Sequence, residues 1–138
     1  MKNIFLDADI LLDVALERQP FALHASLILS LPEYVKTTSV LNIANLYYLV
    51  SKHQDKYQAR NNVGLIISHC QILSVDSSMI RKAHNSLFKT FSDFEDSIQH
   101  YCAVGHSMNA IITRNGKDFR NSELPVYSPK KFLELFNE

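Results

Sequence analysis

The sequence predicts a three-layer α/β/α sandwich, with helices on both faces of a central, mostly parallel sheet of four or five strands. Short apolar segments alternate with segments of helical periodicity along the chain, as in parallel α/β folds. Only three glycines and four prolines occur, which argues against long disordered stretches and turn-rich all-β architectures. The length of 138 residues fits one domain, predicted to span residues 1–138.

The N-terminal segment is predicted to form a strand and two helices. Residues 4–6 form a short apolar strand that is closed by Asp7, and residues 8–17 follow as the first helix. Pro20 is predicted to stand in the first turn of the second helix. Its apolar face is marked by three leucines at fourfold spacing: Leu23, Leu27 and Leu31.

The middle of the chain continues the alternation of strand and helix. Residues 34–37 form the second strand, and Thr38 or Ser39 caps a third helix that extends to about residue 50. This helix is apolar on nearly every side, so it is predicted to be buried or covered partly by a second subunit. Residues 58–70 form the fourth helix and residues 72–75 the third strand.

The C-terminal half is predicted to add three helices and two strands. Asp76 caps the fifth helix, and the segment 92–95 has the pattern of a capping box that opens the sixth. The core face of the sixth helix is predicted to include Phe94, Ile98, Tyr101 and Cys102. Residues 110–113 form the fourth strand and 126–127 a short fifth one, and Ser128 and Pro129 open the last helix.

Composition excludes several classes of protein. Lys plus Arg and Asp plus Glu number 14 each, so any surface that attracts nucleic acid must be local. Cys70 and Cys102 lie in apolar segments without a CxxC pattern, which predicts free thiols in a reducing compartment. The sequence shows neither a signal-peptide pattern nor the roughly 20 apolar residues of a membrane span. A cytoplasmic location is therefore expected.

The first candidate site residue is Asp7, which follows the first strand directly. Ligands of open parallel sheets bind beyond the carboxyl ends of the strands, and a carboxylate there is costly to ionise without a positive partner. Capping of the first helix is the alternative role for Asp7. Asp9 and Asp13 follow and share one helix face; Asp9 is interpreted as a helix-start residue, whereas Asp13 is left open between surface and site.

Two further acidic segments follow later in the chain. Glu95 is explained by the capping box and Asp93 by the helix dipole, but neither explains Asp96, which is the candidate site residue of this cluster. The segment 112–119 ends a strand in a polar turn, where Asp118 is either a solvated turn residue or a metal neighbour. Aspartates without histidine or cysteine pairs suit Mg²⁺ or Mn²⁺ rather than zinc.

Several basic residues and one histidine are additional candidates for the functional site. Arg114 and Lys117, with Arg120, Lys130 and Lys131, give the C-terminal third a basic bias near the acidic turn, as either a phosphate-binding or a solvated surface. His100 follows Asp96 by four residues and is able to face the same cleft, although a surface or packing role is the simpler explanation.

The residues quoted above, taken in order, resemble the PIN domain family of metal-dependent ribonucleases, which includes toxin subunits of bacterial toxin–antitoxin pairs of the VapC type. The resemblance extends over essentially the whole chain. It depends on four segments: Ile4–Asp13, Ser39–Val40 with Asn45–Tyr47, Asp93–Ile98, and Thr113–Phe119.

The resemblance implies a catalytic and metal-binding site. Asp7 and Asp96 match the first and third acidic positions of the family, whereas the second and fourth positions hold Asn45 and Asn115. Asp118 is a substitute for the fourth carboxylate, and Arg114 and Lys117 are implied to bind RNA. The implied cofactor is Mg²⁺ or Mn²⁺, and the implied partners are RNA, an antitoxin and a second copy of the chain.

Two other functions remain as alternatives. The loss of two carboxylates weakens metal binding, which favours a non-catalytic PIN-like module that binds RNA or a protein partner. A phosphoacceptor receiver-like domain also places aspartates at strand ends. It needs a strand-end lysine as well, and Val126 and Tyr127 offer none.

Overall fold

A fully parallel sheet forms the centre of the computed structural model, which describes residues 2–136. Within these residues the sheet has five strands in the order β3-β2-β1-β4-β5, so the first strand of the chain lies in the middle. The strands are β1 (Asn3–Leu6), β2 (Val35–Ser39), β3 (Gln71–Leu73), β4 (Ala110–Ile112) and β5 (Val126–Tyr127). The predicted parallel sheet of four or five strands is confirmed.

Seven α-helices connect and cover the strands within the described residues. They are α1 (Ala8–Ala15), α2 (Ala22–Leu29), α3 (Val40–Ser51), α4 (Lys56–His69), α5 (Ser77–Ser86), α6 (Phe94–Gly105) and α7 (Pro129–Phe136). A 3₁₀ turn (Gly116–Phe119) follows β4. No helix in the described part of the chain is both long and apolar enough to span a membrane.

The two faces of the sheet bury separate apolar clusters, which makes the molecule three-layered as predicted. Alternate residues of β1 point to opposite faces: Ile4 and Leu6 join one cluster and Phe5 the other. The first cluster contains residues of five helices: Ile10, Ile28, Leu46, Val63 and Phe132. The second contains residues of α5, α6 and the 3₁₀ turn: Met79, Cys102 and Phe119.

Helix α2 buries a different face from the one predicted. Its leucines Leu23 and Leu27 are 62% and 43% exposed, whereas Ala22, Ala25 and Ile28 are buried. Helix α2 therefore packs through the face that carries Ala25, Ile28 and Leu29, and of the three predicted leucines only Leu31, which follows the helix, is buried. Pro20 precedes the helix rather than standing in its first turn.

Two predictions about α3 and α6 are also corrected. Of the two alternatives for α3, full burial within the chain is wrong, because Tyr47 and Tyr48 are exposed while Leu46 and Val50 face the core; cover by a second subunit stays a prediction. The N-cap of α6 is Asp93, not Ser92: its carboxylate accepts a hydrogen bond of 2.9 Å from the backbone N–H of Asp96. Helix α6 thus begins one residue later than the capping box predicts. Phe94 was predicted on the core face, but it is 38% exposed.

Candidate acidic site at the strand ends

The candidate site lies where the strand order reverses, between β1 and β4. Leu6 pairs with Ile112, so the residues that follow, Asp7 and Thr113, meet at the carboxyl edge of the sheet. The backbone N–H of Asp7 donates to the carbonyl of Ile112 at 3.0 Å. Reversal points of parallel sheets leave a crevice between diverging connections, which is the usual ligand position in such folds.

Asp7 is a buried carboxylate that is held only by uncharged donors. One oxygen accepts from the backbone N–H of Ala8 at 2.8 Å, which caps α1, and the other from the hydroxyl of Thr113 at 2.8 Å. Burial, with the nearby charge of Asp9, raises the pKa of Asp7 to about 7 despite these hydrogen bonds. Both interpretations of Asp7, helix cap and site carboxylate, therefore fit its surroundings.

Asp96 faces the same region from the first turn of α6. Its side chain is half-buried. Burial, followed by the negative charge of Asp7, raises the pKa of Asp96 to about 7. Asp93 and Asp118 add to this effect. Asp7 and Asp96 thus form a pair of carboxylates that repel one another and lack a cation.

A pocket of about 430 Å³ collects these groups. Four of the five residues predicted as metal ligands line it: Asp7, Asn45, Asp96 and Asn115. Asn42 and Gln99 line it as well. Gln99 is held in place by the hydroxyl of Ser39, which donates to its amide oxygen at 2.6 Å. The pocket is therefore lined mainly by oxygen-bearing side chains.

The fifth predicted ligand, Asp118, lies beside this pocket rather than in its wall. Asp118 and Lys117 belong to the 3₁₀ turn and line an adjacent cavity of about 260 Å³. The negative charge of Asp118 nevertheless contributes to the raised pKa of both Asp7 and Asp96. Its carboxylate thus adds to the negative potential of the site.

Asp9 stands in the first turn of α1, as predicted for a helix-start residue, and it also lines the acidic pocket. One oxygen accepts from the backbone N–H of Arg114 at 3.0 Å, while the other, Oδ1, is buried without a hydrogen-bond partner. Burial raises the pKa of Asp9. The signal that could have identified it is its position two residues after the strand-end aspartate, within a segment that holds three aspartates.

Asp13 forms a buried ion-pair cluster instead. Its side chain has no exposed surface and contacts two guanidinium groups. Arg114 binds it through two hydrogen bonds of 2.6 and 3.1 Å, and Arg18 approaches to 2.8 Å. We call Asp13, Arg18 and Arg114 the arginine clamp. Because two cations surround one carboxylate, the clamp has a net charge of +1.

His100 does not line the acidic pocket. It is fully buried on α6 and packs against the ring of Phe91 at a centroid distance of 4.7 Å. Its Nε2 accepts a hydrogen bond of 3.0 Å from the backbone N–H of Glu123. Burial lowers the pKa of His100. Its surroundings are those of a packing histidine.

The donor set of the pocket fits Mg²⁺ or Mn²⁺ in chemical type. Within residues 2–136, no three His, Cys, Asp or Glu side chains converge in the geometry of a metal site. The pocket does offer the carboxylates of Asp7 and Asp96, four amide side chains and the carboxylate of Asp9, one oxygen of which has no hydrogen-bond partner. Hard oxygen donors with excess negative charge are the ligands that these ions prefer.

Comparison with known proteins gives one family match. A family model described as PIN domain matches residues 3–117 of the chain. No curated protein sequence matches it.

Solved structures resemble the whole chain at low identity. A toxin–antitoxin complex from Klebsiella pneumoniae has a TM-score of 0.70 at 20% identity, covering 91% of this chain and 97% of that one. VapBC-1 from nontypeable Haemophilus influenzae has a TM-score of 0.72 at 19% identity, covering 94% and 99%. VapC20 of Mycobacterium tuberculosis, described as a sarcin-ricin loop cleaving toxin, has a TM-score of 0.66 at 15% identity, covering 78% and 86%. At these identities the likeness shows a shared fold.

Proposed function

Because the chain belongs to the PIN domain family, we propose that it is a metal-dependent endoribonuclease and the toxin of a toxin–antitoxin pair. The observation that supports this most is the convergence of Asp7 and Asp96 in one pocket, where neither carboxylate is paired with a cationic side chain and each has its pKa raised to about 7. Perturbed carboxylates in a cleft at a strand-order reversal are a frequent mark of catalytic sites. The solved neighbour that is described as a sarcin-ricin loop cleaving toxin supports the choice of substrate.

In this proposal Asp7 and Asp96 are the main ligands of Mg²⁺ or Mn²⁺, with the amide oxygens of Asn45 and Asn115. Asp118 adds negative charge and is a further candidate ligand. A bound ion of this kind supplies polarisation of the phosphate and a lower pKa for the attacking water. Asp7, Asp96 and Asp118 are the proposed catalytic residues.

Surrounding groups hold these side chains in one orientation. Ala8 and Thr113 each bind one oxygen of Asp7, so that its carboxylate cannot rotate freely. Thr113 is itself fixed, because its hydroxyl also accepts from the backbone N–H of Asn115 at 3.0 Å. Preorganisation of this type reduces the cost of assembling a charged site during the reaction.

Arg114 and Lys117 remain the proposed RNA-binding residues. Lys117 is exposed on the 3₁₀ turn beside Asp118. Arg114 is engaged with Asp13, yet the arginine clamp keeps a net charge of +1 and the Arg114 side chain is 26% exposed. These charges are local, as a chain of zero net charge requires.

An antitoxin and a second copy of the chain are the proposed protein partners. Several of the matched structures are toxin–antitoxin complexes. Exposed apolar side chains on α2, α3 and α4 offer surfaces for protein contact. The largest exposed fractions among them are those of Leu23, Tyr48, Tyr57 and Leu65.

The decisive experiment compares RNA cleavage by two matched variants. Asp7→Asn keeps an N-cap side chain but removes a site carboxylate, and Asp76→Asn makes the same change at the N-cap of α5. With structured and single-stranded RNAs and Mn²⁺, we expect cleavage by the wild type and Asp76→Asn. Asp7→Asn and chelator-treated samples should be at least 100-fold slower. Cleavage that survives in Asp7→Asn would overturn the nuclease proposal.

A non-catalytic PIN-like module is the second candidate. Asn45 and Asn115 at two acidic family positions favour it, because each replaces a charged ligand with a neutral one. In the same experiment this candidate predicts RNA or antitoxin binding without cleavage by any sample, whether or not Mn²⁺ is present.

A further inference from the structure

A second cavity of about 450 Å³ lies between the α1–α2 connection and the start of α7. Two of its lining side chains, Arg114 and Lys130, are cationic, and a third is the imidazole of His24. No carboxylate lines it, in contrast to the acidic pocket. Phe21 supplies an aromatic ring that is 40% exposed. We call this space the basic cavity.

The aromatic ring and one cation of the basic cavity form a fixed pair. The guanidinium carbon of Arg114 lies 3.8 Å from the centroid of the Phe21 ring, a cation–π stacking distance. The same guanidinium is bound twice by Asp13. Because Asp13 is fully buried, Arg114 cannot swing away, and Phe21 is held beside it.

The basic cavity and the acidic pocket share a wall. Arg114 lines the basic cavity, and its backbone N–H is bonded to Asp9, which lines the acidic pocket. Arg18, on the other side of Asp13, also lines the acidic pocket. The arginine clamp therefore separates the two spaces, and its net positive charge faces both.

We propose that the basic cavity binds one nucleotide of single-stranded RNA next to the scissile phosphodiester, with its base on Phe21 and its phosphate at Lys130. This inference rests on the proposed ribonuclease function and adds a substrate subsite to it. Aromatic and guanidinium planes stack on any base, and a lysine neutralises phosphate without sequence preference. The absence of carboxylates in the cavity removes the repulsion that the acidic pocket exerts on a phosphate.

An acidic peptide would satisfy the cations, but only an aromatic residue in it would stack on the exposed ring of Phe21, whereas every nucleotide joins a planar base to a phosphate. A nucleotide matches both chemical features of the cavity, so RNA is the occupant that the observations favour. It also explains the position, because an RNA strand bound across the acidic pocket must continue past one of its walls.

The test measures binding of a fluorescein-labelled single-stranded 12-mer RNA to the full chain by anisotropy in EDTA, at several salt concentrations. Lys130→Ala is matched by Lys131→Ala, a neighbouring exposed lysine outside the cavity. Phe21→Ala is matched by Phe21→Tyr, which keeps a stacking ring. Cleavage of the same RNA in Mn²⁺ is measured in parallel for every variant.

We expect Phe21→Ala to weaken binding about tenfold with an unchanged salt slope, and Phe21→Tyr to restore it. Lys130→Ala should reduce the salt slope by about 0.7 and weaken binding several-fold, whereas Lys131→Ala should stay within twofold of the wild type. In cleavage, Phe21→Ala and Lys130→Ala should raise KM more than they lower kcat.

Two outcomes would overturn the subsite. Wild-type affinity and KM in both Phe21→Ala and Lys130→Ala, with the wild type cleaving RNA, would reject the subsite alone and leave the cavity to a protein ligand. A wild type that neither binds nor cleaves the RNA would reject the subsite together with the ribonuclease function.

Discussion

Two buried aspartates of the α1 segment lie six residues apart and have opposite surroundings. Asp13 has no exposed surface, and its two oxygens are bound by Arg18 and Arg114. Asp7 is 6% exposed and receives hydrogen bonds only from a hydroxyl and a backbone amide. Burial and the charge of Asp9 raise the pKa of Asp7 to about 7. The two carboxylates are equally hidden, but only one has its charge balanced.

The comparison shows that burial of an acidic residue does not by itself indicate a functional site. A buried carboxylate with a cationic partner stabilises structure, whereas one without such a partner costs stability unless a ligand supplies the positive charge. Asp7 belongs to the second group, and Asp13 to the first. The missing countercharge is therefore the informative feature of this molecule.

The largest expected effect comes from breaking the arginine clamp. Arg114→Ala leaves the buried carboxylate of Asp13 with Arg18 alone, and we expect it to lower the free energy of unfolding by about 3 kcal/mol. Urea denaturation measures this loss. Arg120→Ala, at an exposed arginine, should change stability by less than about 0.5 kcal/mol. A loss below about 1 kcal/mol in Arg114→Ala would show that the clamp is unimportant for stability.

Removing the negative charge of Asp96 from the acidic pocket should increase the stability of the metal-free protein, whereas breaking the arginine clamp should decrease it. The folded-state pKa of Asp96, about 7, exceeds its usual value of 3.8, owing to burial and the charges of Asp7, Asp93, Asp118 and Glu95. Stability is therefore fully present below about pH 4 and is lost as the pH rises through 7. In metal-free buffer at pH 8 we expect Asp96→Asn to be more stable than the wild type by about 1–3 kcal/mol, less than the full pKa shift implies because solvent screens the half-exposed carboxylate.

The control for this prediction is pH itself. The melting temperatures of Asp96→Asn and the wild type should converge near pH 4, where both side chains are neutral. Mn²⁺ at pH 8 should raise the melting temperature of the wild type more than that of the variant, because the ion stabilises the carboxylate form. An equal difference between the two proteins at pH 4 and pH 8 would rule out the charge explanation.

Adding a carboxylate to the acidic pocket should increase the difference between its unbalanced negative charge and the balanced charge of Asp13. Asn45 is exposed at the rim of the acidic pocket, so Asn45→Glu adds charge at little cost in metal-free stability. We expect it to increase Mn²⁺ affinity about tenfold in isothermal titration calorimetry. Asn61→Glu, at an exposed position on α4, should leave the affinity unchanged. Unchanged affinity in Asn45→Glu would place the metal ligands elsewhere.

The smallest expected effect concerns His100, a buried titratable group that belongs neither to the acidic pocket nor to the arginine clamp. Burial lowers its pKa below 6.5 against the opposing charge of Glu123, and the rings of Phe91 and Tyr101 pack on it. The unfolded state therefore binds the proton first, and stability falls as the pH drops below about 6.5. In the Asp96→Asn background we expect a loss of about 1 kcal/mol between pH 7 and pH 5.

Substitution of the histidine tests this assignment. His100→Phe in the same background should remove most of the pH-dependent loss, although it also loses the hydrogen bond from the backbone of Glu123. The measured quantity is the slope of stability against pH rather than its absolute value. The same slope in both proteins would assign the loss to other groups.

Local pattern was sufficient for the order and type of the elements. The apolar run before Asp7, the cap at Asp76 and the short fifth strand are all present in the structure. These features depend on interactions within a few residues, so periodicity and capping chemistry reveal them. The same patterns supported the resemblance to the PIN domain family, which the family match confirms.

Packing between segments that are far apart in the sequence decided which helix faces are buried and which aspartates meet a cation. Leu23 and Leu27 have helical spacing, yet they are exposed. Helix α2 instead buries the face that carries Ala25 and Ile28, which packs against its neighbours. The spacing of Asp9 and Asp13 is also that of a solvated helix face, and their different roles depend on contacts with Arg18 and with Arg114, about one hundred residues away. The sequence by itself determined which residues could be charged at the sheet edge. The tertiary structure decided which of them meet a countercharge, because that depends on contacts far apart in the chain.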